Sequence, residues 1–256
     1  MPSSELDIVA ELRSVPGLGE LGLDVLRDLA GHATQRVAHA NVTLVEQGSV
    51  SDAWLVLARG ATKSVRRANI EGADPVVVDV MRAPGVVSDA SVLDGKPATV
   101  TIQTLRSSHV FAVARRALFE IVGRHPQLAT FLLARAAADV RAHVSRIDEL
   151  VSGSVDERVK HLLETLARAH GTPLGNGRFI ALPLRRRDIA CMVNATTETV
   201  SRLLAKFERE GLARSTRDGI WWKSMSRPTG SATVVKIEPA STTTAARTRD
   251  VNEGSK

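Results

Sequence analysis

The chain has 256 residues, and its 34 Lys and Arg against 28 Asp and Glu give a formal charge of +6. That length accommodates two small domains, and the positive balance favours a polyanionic partner over an acidic protein. The single cysteine, Cys191, excludes an internal disulfide and cannot supply the four ligands of an iron–sulfur cluster. It sits among apolar neighbours and reads as packing rather than as a redox switch. No signal-peptide pattern follows Met1, and no apolar run approaches the roughly 18 residues of a membrane span. The expectation is a soluble, cytoplasmic protein without membrane partners.

Residues 1–10 read either as loose chain or as an added helix, and Leu18 to Leu29 as a short amphipathic helix. Residues 35–114 are then rich in Val, Thr and Ala, in short runs broken by Gly, Pro, Asn and Asp. Val42–Val45, Ala53–Leu57, Val76–Val80 and Thr99–Ile102 are examples. Several short strands at close spacing predict a sandwich or barrel. The seven histidines form no HxH or HExxH pattern, so a metal-dependent enzyme on this scaffold has no support and no metal site is expected.

Pro126 suits the first position of a helix. Beyond it Leu133, Ala137, Val140, Val144, Ile147 and Val151 alternate in steps of four and three, the spacing of a coiled-coil seam. The competing reading is a long helix that packs this stripe on its own domain. Ser152-Gly153 follows as a hinge, and Ser154-Val155-Asp156-Glu157 is a capping box that opens a helix from Arg158 to Ala169.

Asn176-Gly177 between Pro173-Leu174 and Arg178–Leu182 signals a hairpin, as does Asp218-Gly219 before Ile220-Trp221-Trp222. Between them Ile189, Met192 and Val193 make one apolar helix face. Asn194 suits the left-handed residue of a tight turn, and Thr196 can cap a second helix. In that helix Val200, Leu203, Leu204 and Phe207 form the buried stripe, leaving Glu198, Ser201, Arg202 and Lys206 outside it. This is a winged helix-turn-helix, whose second helix enters the major groove. There an Arg can bond guanine and a Glu can accept from cytosine. The competing reading is a helical hairpin with a solvated charged face. The basic residues around it suit phosphate contacts. Trp221-Trp222 close the wing, with at least one ring packed on the domain. Residues 225–256, rich in Ser, Thr, Ala and charge, read as a disordered tail.

Arg187-Asp188-Ile189-Ala190, the run Thr197-Glu198-Thr199-Val200-Ser201-Arg202-Leu203-Leu204 and Glu210-Gly211-Leu212 resemble the CRP/FNR superfamily of bacterial transcription regulators. Glu46-Gln47-Gly48 with Ala53–Gly60, Pro84-Gly85 and Val92–Pro97 resemble its effector domain. The resemblance implies an α+β protein, with an N-terminal β-roll (a double-stranded β-helix), a long dimerisation helix and a C-terminal winged helix-turn-helix. The expected boundaries are 15–124, 125–153 and 154–224.

It also implies base reading by Glu198, Ser201 and Arg202, assisted by Thr197 and Lys206, and phosphate contacts from Arg185, Arg187, Thr196 and Thr199. Thr197 stands where the cyclic-AMP branch has Arg. The implied partners are a palindromic duplex, a second copy of the chain and RNA polymerase.

The effector region departs most from the family pattern. Its Gly-Glu falls on Ser88 and Asp89, and its phosphate-binding Arg on Ala98, although Thr99 keeps a hydroxyl. Ala98 cannot pair a phosphate, so weak or absent dependence on cyclic AMP is expected. His143 lies beside the seam, near where the family's helix can meet an effector, and is otherwise a surface histidine. No cofactor is established by the sequence, and cyclic AMP remains the candidate for this degenerate pocket. The alternatives are a cyclic-AMP-responsive regulator with a variant pocket and a nucleotide sensor acting through protein contacts.

Overall fold

A computed structural model describes residues 5–67, 75–87, 90–151 and 153–223. Ser88, Asp89, Ser152 and the expected tail at 225–256 lie outside them. The N-terminal segment is the added helix, α1 (Glu5–Arg13). The single helix expected from Leu18 to Leu29 is instead a 3₁₀ turn, Leu18–Glu20, and a separate α2 (Leu23–His32). Gly22, with extended backbone, precedes α2 and separates the two.

Among the described residues eight strands follow. They are β1 (Ala33–Ala38), β2 (Thr43–Val45), β3 (Ala53–Arg59), β4 (Ala61–Arg66), β5 (Val76–Arg82), β6 (Gly85–Val86), β7 (Thr101–Thr104) and β8 (Ser108–Ala114). A one-turn helix, α3 (Ser91–Asp94), interrupts them. They form two antiparallel sheets in the orders β1-β8-β3-β6 and β2-β7-β4-β5. The run expected at Thr99–Ile102 is strand only from Thr101.

Alternation of side chains across the pleat explains how one strand serves two cores. In β3, Trp54 and Val56 join Phe111 and Val113 of β8 in a cluster with Leu12, Leu26 and Leu29 of the N-terminal helices. Leu118 and Ile121 of α4 (Arg115–Arg124) and Leu128 of α5 (Pro126–Val151) complete it. The intervening Leu57 and Val110 point the other way, into the roll, with Val45, Val87, Ala98 and Ile102. A bulge where β5 pairs with β4 between Ser64 and Val65 breaks the alternation. Val77 and Val80 therefore share one side, and with Ala61 they pack into the core of the C-terminal segment.

That segment contains α6 (Val155–His170), β9 (Gly171–Leu174), β10 (Gly177–Ile180), α7 (Arg186–Val193), α8 (Thr197–Arg209), β11 (Ala213–Ser215) and β12 (Ile220–Trp222). The capping box at Ser154 is present: Ser154 Oγ accepts from Glu157 N–H, and Glu157 Oε2 accepts from Ser154 N–H at 2.7 Å. The small sheet has the order β11-β12-β10-β9, so both hairpins form the wing side of the domain. The first hairpin turns one residue earlier than expected. Gly175, at φ +60°, and Asn176 make the turn, and Gly177 already belongs to β10. Phe207 and Trp222 meet edge to face at 5.8 Å, and Trp222 Nε1 donates to Glu164 Oε2 at 2.8 Å. A buried indole that satisfies its polar atom in this way adds packing without a desolvation penalty.

Candidate nucleic-acid interface

Two local devices set the angle between α7 and α8. Asn194 ends α7 in the left-handed conformation, at φ 49° and ψ 61°. Asn tolerates this region better than most residues with a Cβ. Thr196 Oγ1 then accepts from Thr199 N–H at 3.1 Å, which satisfies one of the open amides at the start of α8. Val200, Leu204 and Phe207 are buried with Ile189, Met192 and Val193, so the apolar stripes of both helices close on one core. Leu203 is half-buried at its edge.

The opposite face of α8 is open. Thr197, Glu198 and Arg202 are exposed, and Ser201 is half-buried. Arg202 Nε lies 4.0 Å from Glu198 Oε1, and the two side chains are 73% and 83% exposed. Such a pair contributes a few tenths of a kcal/mol, so both groups can leave it for a base edge. Ser201 Oγ donates to Thr197 O at 2.7 Å, which leaves its lone pairs outward. Thr196 and Thr199 share a 2.9 Å hydroxyl contact at the helix start. Arg185 precedes α7, and Arg186 and Arg187 occupy its first turn.

Lys206 is engaged differently from its neighbours. Its Nζ donates to Asp156 Oδ1 on α6 at 3.1 Å, and Lys160 holds Asp156 Oδ2 at 2.7 Å. The hydrogen bond from Lys160, followed by the one from Lys206, keeps the Asp156 carboxyl below its ordinary range despite partial burial. Lys206 must leave this pair to touch DNA.

The sequence reading missed Arg158. Its guanidinium donates to Val193 O at 3.0 Å, Asn194 O at 3.4 Å and Gly153 O at 2.9 Å. One side chain thus ties the carbonyls of the helix-turn-helix turn to Gly153, the residue before the Ser154 cap of α6. Arg146 of α5 adds a bond to Met192 O. Carbonyl partners are invisible in a sequence pattern, and the only signal was a basic residue in the first turns of α6.

The candidate seam residues Leu133, Val140, Val144 and Ile147 are all exposed on α5 in the single chain, and Ala137 lies exposed between them. The side chain of Val151 falls outside the described residues. His143 is exposed beside the stripe.

Ala98 is buried inside the roll, and its backbone is already committed. Its N–H donates to Ser49 O at 2.7 Å, and its carbonyl accepts from Gly48 N–H at 2.8 Å. Thr99 is exposed, with its carbonyl held by Arg66 at 3.0 Å. Neither the side chain nor the amide of Ala98 is available to an anion in this arrangement.

Comparison with known proteins agrees with this architecture. Residues 35–125 match the description "Cyclic nucleotide-binding domain", and residues 157–227 match "Crp-like helix-turn-helix domain". The CRP-like cAMP-activated global transcriptional regulator of Mycobacterium tuberculosis is 27% identical over 172 residues, covering 67% of this chain and 76% of that protein. The structure of FixK2 from Bradyrhizobium japonicum superposes with a TM-score of 0.65 at 21% identity, over 75% of this chain and 92% of that one. The c-di-GMP responsive global regulator CLP of Xanthomonas campestris gives 0.66 at 12% identity, over 78% and 99%. An effector-type roll joined through a long helix to a winged helix-turn-helix defines a DNA-binding transcription regulator. The chain belongs to the CRP/FNR superfamily.

Proposed function

We propose that the chain binds a palindromic duplex as a homodimer and does so with little or no dependence on cyclic AMP. The observation that carries the reading is the open Glu198–Arg202 pair in the N-terminal half of α8, with Ser201 beside it. Thr197 assists at the outer edge of the half-site, and Lys206 joins once it leaves Asp156. Arg185, Arg187, Thr196 and Thr199 hold phosphates and set register without reading sequence. The roll over 15–124 and the helix over 125–153 set the spacing of two recognition helices about 34 Å apart. RNA polymerase is the partner that a promoter-bound regulator of this class would meet.

The Mycobacterium tuberculosis relative is named for activation by cAMP. Here Ala98 replaces the arginine expected to pair the phosphate, and its amide is spent on Ser49. A dimer without that switch rests in the DNA-competent state.

One titration tests both parts: fluorescence anisotropy on a palindromic TGA-containing duplex at fixed salt, with and without cyclic AMP. Tight binding unchanged by the nucleotide is expected. Arg202→Ala should lose about 1–3 kcal/mol of discrimination at one base pair per half-site. Unchanged sequence preference in that variant contradicts the assignment, and binding that requires cyclic AMP contradicts the effector reading.

A further inference from the structure

Three turns of the roll meet at one edge and are stitched together. Gly60 O accepts from Ala83 N–H at 3.1 Å, Ala61 O accepts from Leu105 N–H at 2.8 Å, and the buried Ser108 Oγ donates to Arg106 O at 2.8 Å. Gly60 crosses at φ +110°, and a Cβ there would lie 2.1 Å from Ser108 Oγ. Only glycine lets these backbones approach so closely. The platform is therefore fixed before any ligand arrives.

Each turn delivers one arginine. Arg59 ends β3, Arg82 ends β5 and Arg106 lies between β7 and β8, while His109 pairs in register with Arg59. All four line a cavity of about 390 Å³, and among the described residues no carboxylate lines it. Arg59 is partly matched from outside by Glu11, at 3.0 Å. Arg82 donates to His170 O at 3.1 Å, a contact that reaches the end of α6. The side chains of Arg106 and His109 have no hydrogen-bond or ion-pair partner among the described residues. Three arginines thus bring positive charge to one concavity, and Glu11 offsets only Arg59. Their planar donor forks fit phosphate oxygens in pairs. The cavity includes none of Ala98, Thr99 or His143, so it is separate from the candidate effector region.

We propose that this cavity binds a small phosphate-rich anion, with the chemistry of a diphosphate group. The source is either free pyrophosphate or the diphosphate end of a nucleotide.

Isothermal titration of the full chain with pyrophosphate, ADP and AMP at fixed salt tests the site. Pyrophosphate and ADP should bind, and AMP about tenfold more weakly or worse, because one phosphate cannot engage three forks. Equal affinity for pyrophosphate and ADP would assign the free anion, and tighter ADP binding the nucleotide. Arg106→Gln should weaken pyrophosphate about tenfold, with Arg106→Lys intermediate because it keeps the charge without the fork. Arg106 is exposed, so thermal melting should confirm that both variants fold. Arg116→Gln, on the exposed side of α4, should bind like the parent. Absence of pyrophosphate binding overturns the proposal. So does binding that ignores Arg106→Gln and is displaced by duplex DNA.

Discussion

Lys63 Nζ donates to Asp188 Oδ1 at 2.6 Å, between a strand of the roll and the first helix of the helix-turn-helix. The two side chains are only 16% and 9% exposed. The other oxygen, Asp188 Oδ2, accepts from Arg185 N–H at 2.9 Å and so caps α7. One carboxylate both fastens the DNA-binding segment to the roll and fixes the start of the helix that carries Arg186 and Arg187. Removing one partner strands the other charge in a poorly hydrated site. Lys63→Met should therefore destabilise the fold by about 2–4 kcal/mol. Asp188→Asn keeps an acceptor for Arg185 N–H but strands the ammonium. The double variant should cost clearly less than the sum of the singles. Chemical denaturation of all four proteins gives the coupling, and strict additivity would show that the pair contributes nothing.

This pair also marks where sequence reading stops. Asn194, the Thr196 cap and the Ser154–Glu157 box were legible because each depends on residues within one turn of chain. The stripe of Val200, Leu204 and Phe207 was legible because helix period alone places it on one side. Lys63 and Asp188 lie 125 positions apart, and no local pattern relates them. Likewise, Lys206 falls outside the apolar stripe as expected, yet Asp156 on another helix draws it away. The hairpin turn lies one residue earlier because Gly175 takes the positive φ expected of Asn176-Gly177, which also leaves Gly177 packed against Trp221.

Asp156 is expected to link acid stability to DNA affinity, because it holds Lys206. Lys160 first and Lys206 second lower its pKa below the ordinary value of 3.8. A carboxyl depressed in the folded state contributes its full stabilisation above that ordinary value. The contribution is lost as pH falls through 3.8 toward the folded pKa. Asp156→Asn should cost about 0.5–1 kcal/mol near neutral pH, and the gap to the parent should close below about pH 4. The same change releases Lys206 toward the duplex. Affinity should rise, and the slope of log affinity against log salt should steepen by up to about 1.8, about 0.9 for each of the dimer's two Lys206 side chains. Denaturation at several pH values and a salt series on DNA check the two halves separately. An unchanged affinity and an unchanged salt slope would mean that Lys206 does not reach the duplex.

The stripe on α5 supplies the last test. Leu133, Val140, Val144 and Ile147 are 71%, 62%, 55% and 61% exposed in the single chain. A run of large apolar side chains at coiled-coil spacing gains little by facing water and much by meeting its own copy across a two-fold axis. Val144→Glu would set two carboxylates against each other at the middle of that seam. Sedimentation velocity should find the parent dimeric and this variant monomeric at micromolar concentration. Ala142→Glu changes charge on the outward face of the same helix and should stay dimeric. The monomer should still engage a single half-site, but only at far higher concentration, because the second half-site no longer binds as part of the same particle. A dimeric Val144→Glu protein would place the self-association surface elsewhere on the chain and leave the stripe on α5 without its assigned role.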